Sequence, residues 1–391
     1  MLQNFLSRIE ENALHYRKYA LRIEKILLIL LALSVCVSEP LSRNIIRIIF
    51  VMFAVKFFIT KKPIMELIRR YKNFLLTISA FAWWMIISSL YGGHLVKDND
   101  SNVYWFFFSH NMILFIPLIA MIRRQKNSEK LLIATGISLC LDNLFMAYQI
   151  FEGAINPTTF LNDSPFQSSI LYVLMLPTFL ILTFNADGFK RRIFYTATFF
   201  TSLIVFLFLH TVYAQIVTAI IFLLILGNEF FSGKKIPSVI TALIISLIMS
   251  QGALKDVPNF EDAYPAREIV WQTSLEMLKD NPIMGVGLGN YQNVFVTYND
   301  NTENFKLSHA YNSYLQFWSE TGIFGLMLFC GIFGGILIWS KKRCGNVYGQ
   351  ILFFSTLSLM LYSFTDFIFE SYSALRLYWV LFGICLASLD R

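Results

Sequence analysis

Twelve apolar runs divide this chain, at about residues 26–38, 44–60, 74–91, 103–122, 131–151, 166–184, 193–210, 212–227, 236–251, 316–339, 347–369 and 374–389. A helix crosses a bilayer with roughly 20 apolar residues. Inside hydrocarbon, backbone polar groups are satisfied only within helices or closed barrels. Several runs are shorter than 20, but no soluble core needs so many. Hydrophobic residues make up 56% of the 391 residues and charged residues 15%; soluble chains average about 45–50% and about 25%. Disulfide scaffolds, disordered tails and ordinary cytosolic enzymes are excluded on these grounds. The expected fold is an all-α integral membrane protein of about twelve transmembrane helices, with one large helical extracytoplasmic loop before the tenth span.

Basic residues orient the spans, because Lys and Arg are retained on the cytoplasmic side. With the N-terminus placed in the cytoplasm, 23 of the 32 Lys and Arg residues fall on that side and seven on the other. Both termini are therefore expected in the cytoplasm of a multi-pass protein. The net charge of +7 comes from short clusters between apolar runs. It serves orientation and calls for no nucleic-acid partner. The N-terminal piece places Leu2, Phe5, Leu6 and Ile9 at helical spacing. It reads as an amphipathic segment on the membrane face and not as a signal peptide. The five cysteines show no CxxC and no His partner at metal-site spacing, so they read as small apolar residues. No internal repeat of broken helices is evident, which argues against a secondary transporter.

Three regions follow: residues 1–251 with an N-terminal segment and nine spans, an extracytoplasmic loop over 252–313, and three spans over 314–391. Loops of that length are usually functional. Its first half predicts a helix, with Pro265 at the first helical position, no breaker over 266–279, and Asn281-Pro282 as the stop. Arg267 and Trp271 are four residues apart and share a face. Gly285-Val286-Gly287-Leu288-Gly289 follows no strand, so it predicts a tight turn or close backbone approach and not a nucleotide loop. Ser308 is the predicted N-cap of the tenth span. On that helix His309, Asn312, Ser313, Gln316 and Glu320 would form one polar stripe, which must face protein or water. Glu320 is expected to stabilise its own helix. Asp142 and Asp366, inside apolar runs, are expected to pair between helices.

Arg267-x3-Trp271, then Asn281-Pro282-Ile283-x-Gly285-Val286-Gly287-x-Gly289-Asn290, then His309-x-x-Asn312-x-x-Leu315 with Glu320-x-Gly322-x-x-Gly325 resembles the O-antigen ligase and polymerase family of bacterial surface-polysaccharide enzymes. The detailed resemblance covers about 60 residues of the loop and tenth span. It implies glycan transfer from an undecaprenyl diphosphate carrier to an acceptor hydroxyl, at the periplasmic face of the bacterial inner membrane. The reaction would be inverting, metal-independent and without a cofactor. By resemblance His309 is the base or orienter and Arg267 holds the diphosphate, with Asn312 and Gln316 supporting. A guanidinium fork suits such a leaving group because its donors are fixed and bidentate.

The chain departs from the family pattern twice. Tyr311 stands directly before Asn312, where the family usually has His. The start of the eighth span reads His210-Thr211-Val212-Tyr213-Ala214-Gln215, without the family's usual Arg. Arg376, at the outer end of the last span, is the cation expected to replace it, and His210 is a supporting polar group. The expected function is an O-antigen ligase that acts on lipid A–core as a monomer among membrane lipids. A repeat-unit polymerase of the same family is the nearest alternative. A polysaccharide or lipid exporter and a non-catalytic family member are the others.

Overall fold

The computed structural model describes residues 19–59, 61–91, 112–125, 127–154, 157–161, 165–209, 211–231, 257–298 and 309–389. Among these residues every regular element is helical and there is no strand. Residues 19–34 form α1. Then come α2 (Glu39–Ile59), α3 (Lys61–Arg70), α4 (Lys72–Tyr91), α5 (Phe115–Gln125), α6 (Ser128–Phe151), α7 (Pro165–Asn185), α8 (Phe189–Leu207) and α9 (Val212–Phe231). The rest are α10 (Val257–Asp280), α11 (Tyr291–Tyr298), α12 (Ser313–Lys341), α13 (Val347–Tyr362) and α14 (Tyr372–Leu389).

Among the described residues six helices are long and apolar enough to cross a membrane: α4, α6, α7, α9, α12 and α14. α13 is apolar but shorter. The run at 236–251 and residues 103–111 of the fourth run lie outside the described residues. The chain is thus a helical membrane protein, with large apolar side chains such as Val51, Phe58, Leu144 and Ile338 exposed on its helices. The bundle is centred on α7 and α14, whose side chains are almost wholly buried. α7 packs against α8, α9 and α13, and α14 packs against α5 and α13.

Two buried charged groups in this interior are paired, as a low-dielectric setting requires. Asp142 accepts from the Phe160 N–H at 2.9 Å and lies 3.3 Å from the Tyr172 hydroxyl. Buried Arg376 donates to Ser42 Oγ at 2.9 Å and to Glu39 Oε1 at 3.3 Å.

Two expected boundaries are corrected. α10 begins at Val257, so Pro265 lies inside the helix and not at its start. Nothing in residues 259–264 breaks a helix, and one proline costs it a single hydrogen bond and a local clash. The helix does end at Asp280, just before Asn281-Pro282. α12 begins at Ser313 with Asn312 as its N-cap. Ser308 lies outside the described residues. Asn312 Oδ1 accepts the N–H groups of Tyr314 at 2.9 Å and Leu315 at 3.1 Å, and so satisfies two donors at the helix start. Asn312→Ala removes this cap and should lower stability by about 1 kcal/mol. A thermal melt of the purified protein would register it as a shift of a few degrees.

A second, smaller core joins α10 and α11 to the start of α12. Val270, Met277, Tyr291, Phe295 and Ala310 form it, with Trp271 and Leu315 packed alongside.

Candidate functional site

The glycines of residues 285–289 clasp a broken helix. α12 is interrupted at Gly322, whose φ of 67° and ψ of −174° are non-helical. The break leaves the carbonyls of Ser319, Glu320 and Thr321 without helical partners. The Val286 N–H bonds Ser319 O at 2.8 Å and the Gly287 N–H bonds Glu320 O at 2.9 Å. Trp84 Nε1 donates to Thr321 O at 2.8 Å. The turn is close enough because Gly285, Gly287 and Gly289 all have positive φ. The motif is therefore a backbone clasp, as its sequence setting predicted.

Glu320 completes the clasp. Its Oε1 accepts from Gln316 Nε2 at 2.9 Å and lies 3.4 Å from the Tyr291 N–H. Gln316 Oε1 in turn accepts the Ala310 N–H at 2.7 Å. The Ala310 carbonyl accepts from Trp271 Nε1 at 3.0 Å. Residues 309–312 are thus held from both sides, by α10 and by α12. Tyr311, between these supports, has φ 47°, the only non-glycine among the described residues with a positive value. The predicted helical stripe is corrected here. His309 precedes the helix in irregular chain, and its position follows from this pinned segment.

Three groups meet at that segment. The Arg267 guanidinium, brought by α10, lies 4.2 Å from the Tyr213 ring centroid and 5.1 Å from that of Tyr311. Its Nη1 donates to Thr365 O at 2.6 Å. His309 stands edge to face with Tyr311, ring centroids 4.6 Å apart. Its Nε2 is 3.9 Å from Asp366 Oδ1. The other Asp366 oxygen accepts from the Tyr362 hydroxyl at 3.1 Å, and that hydroxyl lies 3.0 Å from Ser169 Oγ on α7. Ser313 Oγ donates to the Asp366 carbonyl at 2.8 Å, tying the start of α12 to the stretch after α13.

Arg267 is 8% exposed, yet no carboxylate pairs with it among the described residues. Its neighbour Glu268 accepts from Gln272 instead. The side chain of Asp262 lies outside the described residues. A guanidinium does not shed its proton. A buried cation without a counter-ion is costly, and an anionic ligand would offset that cost.

Of the residues selected from sequence, the structure brings together Arg267, His309 and Tyr311, with Asn312 and Gln316 as braces. Arg376 belongs to a different contact group, with Glu39 and Ser42. His210 lies outside the described residues. Sequence reasoning missed Tyr213, Thr365 and Asp366 as neighbours of the site. Asp366 carried a signal, a carboxylate in an apolar run, but its partner is an imidazole from a distant loop and could not be read from periodicity.

The fold and the site together define a helical membrane protein with a buried guanidinium and an imidazole near a carboxylate beside the start of α12. Residues 166–330 match the family model described as O-antigen ligase (Wzy_C). This stretch holds Tyr213, Arg267, His309, Asn312 and Gln316, and its match supports the resemblance to the O-antigen ligase and polymerase family. No curated protein matches the chain.

Proposed function

We propose that the chain is an O-antigen ligase, transferring a glycan from undecaprenyl diphosphate to a hydroxyl of lipid A–core. The observation that carries this is Arg267, a buried guanidinium with no acidic partner among the described residues, beside the His309–Asp366 pair. In the proposed step the acceptor oxygen attacks the anomeric carbon and the bond to the diphosphate oxygen breaks. The electron pair leaves on the diphosphate, and a single displacement inverts the centre. The acceptor proton passes to His309 Nε2. Asp366, 3.9 Å away, stabilises the imidazolium that forms. Arg267 meets the charge gathering on the leaving group, where a donor in a water-poor site acts most strongly.

The twelve-span layout, with the 252–313 region on the periplasmic side and both termini in the cytoplasm, belongs to this proposal. It would put the site where lipid-linked glycan and lipid A–core meet. Deletion of the gene tests it, with surface glycan and lipid A–core resolved on one gel. The expected result is core without long chains while full-length polymer accumulates on the carrier. Core bearing a single repeat unit would show a polymerase instead. An unchanged core and glycan pattern would remove both assignments.

A further inference from the structure

The Tyr311 ring touches both groups that the proposed transfer uses, and its backbone is held in a conformation that bulky side chains rarely adopt. Its φ is 47°. A left-handed aromatic residue is strained and persists only where its surroundings over-determine it. Here they do. The preceding residue, Ala310, is bonded at its N–H by Gln316 and at its carbonyl by Trp271. The following residue, Asn312, caps α12. Glycine would relieve the strain at no steric cost, so the ring must contribute something that glycine cannot.

Its two contacts show what that is. The Arg267 guanidinium lies over the ring, 5.1 Å from its centroid, and the His309 ring stands 4.6 Å away at an interplanar angle of 64°. Arg267 also meets the Tyr213 ring at 4.2 Å and donates to the Thr365 carbonyl, so two rings and a neutral carbonyl hold this cation, with no carboxylate among the described residues. A carboxylate in that place would neutralise the guanidinium. A ring attracts it through its quadrupole and leaves its net charge for a ligand.

We propose that Tyr311 is a positioning residue that fixes the Arg267 guanidinium and the His309 imidazole relative to each other, and so keeps the guanidinium aimed at an incoming diphosphate. The ring carries this role through its contacts with both groups. The reaction this positioning serves rests on the ligase assignment, but the diphosphate-holding role can be measured without it.

The test uses the full chain in lipid nanodiscs, with inorganic diphosphate as the probe and the variants Tyr311→Phe, Tyr311→Ala and Tyr311→Gly. Diphosphate affinity, glycan transfer and melting temperature are read on each. Tyr311→Phe should bind and transfer within about twofold of wild type, because a phenyl ring keeps the quadrupole. Tyr311→Gly should melt no lower than Tyr311→Ala, because it relieves the strain. It should nevertheless bind diphosphate roughly tenfold more weakly, the scale of one desolvated cation–π contact. Its transfer should fall further than its binding, since His309 is released as well. A Tyr311→Gly protein that binds diphosphate and transfers like wild type overturns the proposal. So does a Tyr311→Phe protein as impaired as the glycine variant. If wild type shows no transfer but diphosphate binding follows the ring as described, the positioning role stands and the ligase assignment falls.

Discussion

Gly322→Ala is expected to leave little folded protein in the membrane. A Cβ at this position would lie 1.9 Å from Ile283 O and 2.3 Å from Ile283 C, both backbone atoms that cannot swing away. The backbone at φ 67°, ψ −174° belongs to a region essentially restricted to glycine. Relieving either conflict means lifting the 285–289 turn off the break. That would leave the Ser319 carbonyl unpaired and Glu320 O with only the Ser88 hydroxyl, and would strand the Ile323 N–H, which now donates to Pro282 O at 3.1 Å. Strain, clash and lost hydrogen bonds together place the cost at or above about 4 kcal/mol, the extreme of single substitutions. Gly331→Ala is the matched control. It lies in the same helix with open space around its Cβ, and should be neutral or slightly stabilising. Detergent extraction followed by size exclusion would separate the two. Normal recovery of a monodisperse Gly322→Ala protein would show that the clasp yields more easily than its geometry indicates.

Arg267→Met should abolish transfer while leaving the fold intact. Methionine keeps an unbranched apolar stem and removes the charge, the Nη1–Thr365 bond and the contacts with the Tyr213 and Tyr311 rings. These losses are offset by removal of a buried cation that no described carboxylate neutralises. The melting temperature should therefore stay within a few degrees of wild type. The transfer rate should fall by roughly 10²–10³-fold or more, the usual effect of deleting one preorganised donor to a developing negative charge. Arg267→Lys should recover only part of that, because an ammonium restores charge but not the planar fork. A residue whose loss costs much activity and little stability is serving a ligand. The reverse pattern, a large melting shift with transfer preserved, would make Arg267 a structural brace.

Much of this architecture was legible in the sequence because hydrophobic periodicity and turn chemistry are local. The end of α10 at Asp280 follows from Asn281-Pro282, and the positive φ of Gly285, Gly287 and Gly289 follows from their spacing. Arg267 and Trp271 do face one segment, as four-residue helical spacing requires. The start of α12 was not legible. Asn312 and Ser308 are both good caps by residue type, and what selects Asn312 is the left-handed turn at Tyr311, itself fixed by Trp271 and Gln316 from elsewhere in the chain. The same non-local logic hid the role of Asp366. Its approach to His309 depends on the Ser313 bond to the Asp366 carbonyl across 53 residues. The amphipathic α3 was also missed. It buries Ile64 and Leu67 but is only ten residues long, with its basic charges clustered at both ends.

Tyr213 shows why a missing motif residue is a weak guide. The start of the eighth apolar run lacks the arginine that the resemblance implies, and Arg376 is the replacement expected from sequence. That residue is engaged by Glu39 and Ser42. The cation found at the start of α9 is Arg267, held over Tyr213 by a helix about fifty positions further along the chain.

The most direct test of the central claim is transfer in vitro from an undecaprenyl-diphosphate-linked glycan to purified lipid A–core. Wild type, Arg267→Met and His309→Ala would be compared at equal amounts of folded protein. The site described here predicts glycosylated core from wild type only, with each variant reduced by roughly 10²-fold or more. Glycosylated core formed by both variants at the wild-type rate would place the chemistry elsewhere in the protein.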